Sequence, residues 1–181
     1  MRVSKMQVAE NRRAILEAAA MMFRERGFEG VTVADIMTAA GLTHGGFYRH
    51  FKSKDELITK TFDHVLADVA ETAPASFASY AQAYLTTAHR DDPSHSCLFS
   101  TLGSEAARST AETRHVMTES IRHQVEQLTP SAPGSSQAEK RRNAIAGWAA
   151  MVGAVMLARI ADEPALSDEI IASTREALLP R

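Results

Sequence analysis

A single cysteine among 181 residues rules out an internal disulfide framework. Sustained period-2 alternation of β-branched and aromatic residues is missing as well, so no strand is expected and the fold class is all-α. The longest apolar run, residues 144–158, holds 15 residues, short of the ~18 that a membrane-spanning helix needs. The opening segment MRVSKMQVAENRR has no apolar stretch of the signal-peptide kind. No membrane partner and a cytoplasmic setting are therefore expected. A Walker loop, a G-x-S-x-G elbow and an H-E-x-x-H pair are all absent, so the chain reads as no enzyme, with no cofactor and no resident metal.

What is present is unevenly charged. The net charge is −2. Residues 1–54 carry nine Lys/Arg against five Asp/Glu, and the remainder carries eleven against seventeen. A basic head on an acidic body suggests that the head meets an anion. About nine helices are expected, with no internal repeat. The first covers about residues 10–26 with an apolar face of Ile15, Ala18, Ala19, Met22 and Phe23, and Gly27 stops it. T-V-A-D at 32–35 and S-K-D-E at 53–56 have the form of capping boxes, opening a short helix to about 40 and a longer one to about 71, which includes Val69. T-A-P-A-S (72–76) is a break, HRDDPSHS (89–96) a loop, and TPSAPGSSQ (129–137) a polar linker. Further helices are expected over about 97–107, 110–128, 138–161 and 165–178, and one over Phe77 to Leu85.

The stretch LTHGGFYRHFKSKDEL (42–57) raises a specific question, because Gly45 and Gly46 stand together where a helix is expected and each costs it roughly 1 kcal/mol relative to Ala. Residues 32–40, a turn at Gly41-Leu42, and residues 43–51 make a helix-turn-helix of ordinary size. Phe47 and Phe51, four apart, anchor the third helix, which leaves His44, Gly45, Tyr48 and Arg49 facing outward. Recognition helices enter the major groove by their N-terminal residues, and two glycines there let backbone approach DNA closely. The alternative is that the pair simply marks a loop. Lys54 in a first helical turn opposes the macrodipole, which fits a phosphate bound there, or else it is a solvated lysine.

The run ILEAAAMMFRERGFEGVTVADIMTAAGLTHGGFYRHFKSKDELI resembles the DNA-binding domain of the TetR family of transcriptional regulators, in the spacing of Phe23, Gly27, Thr32, Ile36, Gly41, Phe47, Tyr48, His50, Phe51, Lys54 and Leu57. The resemblance covers roughly the first third of the chain. It implies a reading domain at 9–54, with its helix-turn-helix at about 32–51, and a ligand-binding and dimerisation domain at 55–181. It also implies phosphate contacts from Thr32, Tyr48, His50 and Lys54, and an approach to bases or backbone by Thr43, His44, Gly45 and Gly46. Arg2 and Lys5 form either a minor-groove arm or an untethered tail. The expected partners are double-stranded operator DNA, a small-molecule effector and a second copy in a homodimer. The function implied is that of a repressor released from its operator by a largely apolar molecule.

In the body, the helix around residues 143–159 is apolar all round and is expected to be buried on every side. Its small residues Ala146, Ala150, Gly153, Ala154 and Ala158 suggest a subunit interface, completed by Ile170 on the last helix; the alternative is close packing within the chain. Bulky residues on the middle helices are pocket candidates or plain core: Phe62, Leu66, Phe77, Tyr80, Tyr84, Phe99, Leu102, Met117, Trp148 and Met151. Cys97, His95 and His89 share a loop with Asp91 and Asp92, which offers an alternative function as a redox- or metal-responsive sensor or enzyme. The spacing matches no tetrahedral metal template.

Overall fold

A computed structural model describes residues 4–71 and 76–179, apart from the side chains of 68–71. Arg2, Val69 and residues 72–75 of the break expected at 72–76 fall outside the residues or side chains described. Among the described residues nine α-helices follow in order: α1 (Lys5–Arg26), α2 (Val33–Ala39), α3 (Lys54–Glu71), α4 (Phe77–Tyr84), α5 (Thr87–Asp91), α6 (Leu98–Ala106), α7 (Ala111–Leu128), α8 (Gln137–Ile160) and α9 (Pro164–Leu178). Three 3-10 turns, His44–Arg49, Pro93–His95 and Thr129–Ser131, lie between them, and no strand occurs among the described residues.

Capping chemistry sets most of these boundaries. Ser4 Oγ accepts the Gln7 N–H at 3.1 Å, so α1 begins five residues before the expected start and takes in Lys5, which is therefore helical rather than part of an arm. At α2 the capping box is complete. Thr32 Oγ1 accepts from Asp35 N–H at 3.1 Å and the Asp35 carboxylate accepts from Thr32 N–H at 2.9 Å. At α3 the box is offset by one residue: Ser53 Oγ accepts from Glu56 N–H, while the Glu56 carboxylate accepts from Lys52 N–H at 2.6 Å. The loop expected at 89–96 is partly helical, because Thr86 caps α5 through His89 N–H and Asp92 caps the next turn through His95 N–H.

Two hydrophobic clusters hold the helices. The first joins Ile15, Phe23, Phe28, Ile36, Phe47 and Phe51 to Leu57 and Phe62 of α3, Leu102 of α6 and Met117 of α7. Phe28 stacks edge-on against both Phe23 and Phe62, with centroids 5.4 and 5.9 Å apart. The border expected at 54/55 thus falls inside one continuous core. The second cluster joins Phe77, Tyr84, Leu85, Leu128, Trp148, Met151, Val155 and Ile171. Phe99 touches both.

The expectation of burial all round α8 is wrong. Its Ala144, Gly147, Trp148, Met151, Ala154, Val155 and Ala158 are buried, whereas Ile145, Leu157 and Ile160 are 45, 58 and 76 % exposed. Ala154 and Ala158, assigned to a subunit interface, instead lie inside the chain, where Ser167 Oγ of α9 donates to the Ala158 carbonyl at 2.6 Å. The small residues there let α9 pack close. Ala146 and Ala150 remain exposed, Gly153 is half-buried, and Ile170 is half-buried against the second cluster. α8 is also long and apolar enough, by length and composition, to cross a membrane, contrary to the sequence reading. Its buried face nevertheless belongs to the second core.

Gly147 is the closest of these contacts. A Cβ there would lie 2.4 Å from Cζ of Phe77, whose ring is itself buried. Gly147→Ala should therefore lower stability by roughly 1–3 kcal/mol through overpacking, despite the better helix propensity of Ala. Urea denaturation followed by helical circular dichroism tests this; unchanged stability would mean that the ring has room to move.

Arg159 ties the end of α8 to the segment before α6. It donates to the carbonyls of Arg90 and His89 at 2.8 Å each and to Ser96 Oγ at 2.6 Å. His89 in turn donates from Nδ1 to the Tyr84 carbonyl at 2.8 Å, which leaves Nε2 to accept from Cys97 N–H at 3.2 Å. Burial, opposed by the Tyr84 carbonyl and helped by the nearby Arg159 charge, holds this imidazole below its ordinary value. The native state therefore binds the His89 proton more weakly than the unfolded chain does. Stability should be fully present above about pH 6.5 and decline as the pH falls below it. Denaturation curves at pH 8 and pH 5.5 should show this loss, and His89→Gln should remove the part due to His89.

Candidate nucleic-acid interface and effector groove

The reading site is built on a turn that only glycine suits. Gly41 adopts φ +70, and the Gly41 and Leu42 N–H groups return to the Thr38 and Met37 carbonyls at 3.0 and 2.8 Å, closing α2 with a Schellman motif. The chain then enters the recognition segment. It is a six-residue 3-10 turn, His44–Arg49, rather than the α-helix expected over 43–51. Two adjacent glycines weaken α-helical propagation, and the buried rings of Phe47 and Phe51 hold the short turn in place.

Around those anchors the expected contact residues are presented to solvent. Thr43, His44, Gly45 and Arg49 are exposed, Tyr48 is 71 % exposed, and Gly46, His50 and Lys54 are half-buried. Neither recognition glycine has a positive φ. A Cβ on Gly45 would meet nothing within 4 Å, and one on Gly46 would make ordinary contacts with Met37 and Thr43. No steric contact inside the protein requires glycine at 45.

Thr32 is exposed, but its hydroxyl donates to the Asp35 carboxylate at 2.6 Å; a phosphate contact from it has to displace that bond. The same hydroxyl, with the Thr32 N–H, holds the Asp35 carboxyl below its ordinary value. Asp55 and Glu56 share the first turn of α3 with Lys54 and offset the macrodipole there. A misplaced charge is therefore no argument for a phosphate at Lys54. Sequence reasoning missed Arg12. Its Nη1 donates to the His50 carbonyl at 2.6 Å, and its guanidinium lies 4.2 Å over the Phe51 ring. Burial, then Arg12 and Arg49, hold the His50 imidazole below its ordinary value.

The ten expected pocket residues do not form one pocket. Phe62, Leu102 and Met117 are buried in the first core, and Phe77, Tyr84 and Met151 in the second, with Tyr80 packed against it. Leu66 edges a separate shallow groove with His115 and His123. Phe99 and Trp148, packed edge-on at 5.0 Å, instead line a groove of about 680 Å³ between α7 and α8. Ile121, Val125, Val152 and Met156 complete its apolar wall, and Arg122 and Arg141 belong to its lining. The α7 residues Thr118, Ile121, Arg122 and Val125 follow helical spacing, a pattern from which this wall was legible. Trp148 Nε1 is buried beside the Tyr80 hydroxyl. Before α6, His89 of α5 is engaged internally while exposed His95 pairs with Asp92. Among the described residues no three metal-binding side chains converge.

Residues 15–60 match the family described as "Bacterial regulatory proteins, tetR family". That segment is a TetR-family DNA-binding domain. The chain is 48 % identical over 52 residues to the HTH-type transcriptional repressor KstR2 of Mycobacterium tuberculosis (29 % of this chain, 26 % of that one). It is 36 % identical over 94 residues to KstR2 of Rhodococcus jostii (48 % and 46 %). These matches span between about a quarter and about half of the curated relatives' length. In fold, the chain is similar to E. coli NemR in its reduced form (TM-score 0.76, 19 % identity, 93 % and 94 % covered). It is also similar to AibR, solved with isovaleryl coenzyme A and operator DNA (TM-score 0.66, 21 % identity, 94 % and 98 % covered).

Proposed function

We propose that this protein is a homodimeric DNA-binding repressor of the TetR family, released from its operator by a largely apolar small molecule. The observation that carries the reading is the recognition segment: an exposed Thr43-His44-Gly45 edge and Tyr48, fixed by two buried phenylalanines, with a glycine that no internal steric contact requires. Residues 9–54 read DNA and residues 55–181 bind the effector and the second subunit, although one core spans both. Lys54, His50, Tyr48 and Arg49 take phosphates, and His44 reaches toward base edges.

The effector site in this reading is the α7–α8 groove. Its walls suit an apolar body, and Arg141, with Arg122 where it parts from Glu119, suits an anionic end. AibR was solved with both an acyl thioester and operator DNA, which supports ligands and DNA of these classes here. The exposed apolar residues of α8, with Leu166 of α9, support a subunit interface that closes over the groove's Ile145, Ala149 and Gly153.

The test is binding to the DNA upstream of the protein's own gene over a salt series. The wild type should bind with a steep negative salt slope. Lys54→Ala should weaken binding to all sequences alike and reduce the slope by about 1 for each phosphate no longer neutralised. Unchanged affinity and slope in Lys54→Ala would remove that residue from the interface. No salt-dependent preference for that DNA over random sequence would overturn the reading for this promoter.

A further inference from the structure

Besides the continuous core, a charged hydrogen bond distant in sequence joins the reading head to the body. The carboxylate of Glu105, in the last turn of α6, accepts the Phe28 N–H at 2.6 Å across 77 residues of sequence. That N–H is free to donate because Gly27, at φ +72, ends α1 and turns the chain. A Cβ on Gly27 would lie 2.7 Å from Glu105 Oε1, so the glycine both makes the turn and clears the carboxylate's path. The carboxylate stands near the C-terminal ends of both α1 and α6, where the macrodipoles disfavour negative charge, with Arg24 and Arg26 in the last turn of α1 and Arg108 beside it as nearby cations. The Phe28 donor suits it too, held by a residue whose ring stacks on Phe23 and Phe62.

The same short helix reaches the effector groove. Phe99 lines that groove, and Glu105 follows it by six residues, roughly 9 Å along α6. Leu102 and Ala106, between and after them, are buried in the first core. We propose that Glu105 is the positioning residue through which the body fixes the orientation of the reading head. α6 is then a lever from groove to head, beside the direct connection through α3. This rests on the groove and head roles proposed above, while the latch itself rests on the Glu105–Phe28 geometry alone.

The test uses full-length Glu105→Gln, with spin labels on cysteines replacing Met6 on the head and Ser173 on the body, in a Cys97→Ser background diluted with unlabelled protein. Exchange of the Phe28 amide should accelerate about 10-fold, and the head-to-body distance distribution should widen. Affinity for the protein's own promoter DNA should fall about 10-fold, within the usual range of allosteric coupling. The salt slope should stay unchanged, because every phosphate remains neutralised as in the wild type. Gly147→Ala, weakened in the second core away from the head, should keep wild-type distances and affinity. In a double-mutant cycle, Gly27→Ala and Glu105→Ala should be non-additive, since part of the Gly27 effect is the displaced carboxylate. A distance distribution unchanged in Glu105→Gln would overturn the proposal. So would an equal loss of DNA affinity in Gly147→Ala. If the wild type fails to bind promoter DNA, the repressor reading falls, while the distance measurement still decides the latch.

Discussion

Gly45→Ala should leave the protein at least as stable as the wild type and yet weaken DNA binding by roughly 5- to 150-fold. The stability side follows from the open space around an added Cβ and from an ordinary negative φ. Gly→Ala at such a site stabilises by about 0.4–1 kcal/mol, chiefly by restricting the unfolded chain. The binding side follows from close approach. If backbone at 45 packs against DNA, an extra methyl group there overpacks the contact, at a cost of about 1–3 kcal/mol. Gly46→Ala is the internal control. Its Cβ turns toward Met37 and Thr43 at ordinary contact distances, so its effect on binding should be several-fold smaller. Thermal melts and promoter titrations on the same samples separate the two quantities. A Gly45→Ala protein that is more stable and binds with unchanged affinity would show that the glycine pair merely shapes a turn.

That pair also marks where sequence reasoning stopped. The capping boxes were legible because they are local: Thr32 and Asp35, or Ser53 and Glu56, lie within one turn of each other. The phenylalanine anchors were legible for the same reason, since Phe47 and Phe51 are four residues apart and both prove buried. The 3-10 form of the recognition segment was not, because glycine reports only that a regular helix is weak, not which tighter turn the anchors will impose. Glu105 and Gly147 gave no signal at all. Their partners, Phe28 and Phe77, are 77 and 70 residues away in sequence, and only the packed helices bring them together. The pocket was misjudged by a related route. Bulky side chains at helical spacing identify a core face, but Phe62, Leu102 and Met117 face one core and Phe77 and Met151 another.

α8 shows a further limit, and it leads to the other large expected effect. A helix apolar on every side carries no periodic signal of which side is inside. Size sorting suggested that the alanines meet a second subunit, yet Ala154 and Ala158 pack within the chain and bulky side chains face out. Leu157, 58 % exposed, and Ile160, 76 % exposed, lie one turn apart on this face. Leu157→Glu should consequently disturb the isolated subunit little, because the new carboxylate remains largely solvated. In a two-fold interface the same change appears twice. Each buried carboxylate without a partner costs several kcal/mol, so the dimer dissociation constant should rise by at least about 100-fold. Sedimentation should then give a mass near the 19.7 kDa of a single chain, with helical content retained. Operator binding should collapse, since one reading head engages half of the phosphates and loses the fixed spacing of about 34–36 Å between successive major grooves. Ala154→Leu provides the contrast: it should destabilise the subunit by overpacking and leave the assembly dimeric. A Leu157→Glu protein that stays dimeric at every concentration would move the interface off this face of α8, and the groove between α7 and α8 would then lie open to solvent rather than beneath a partner.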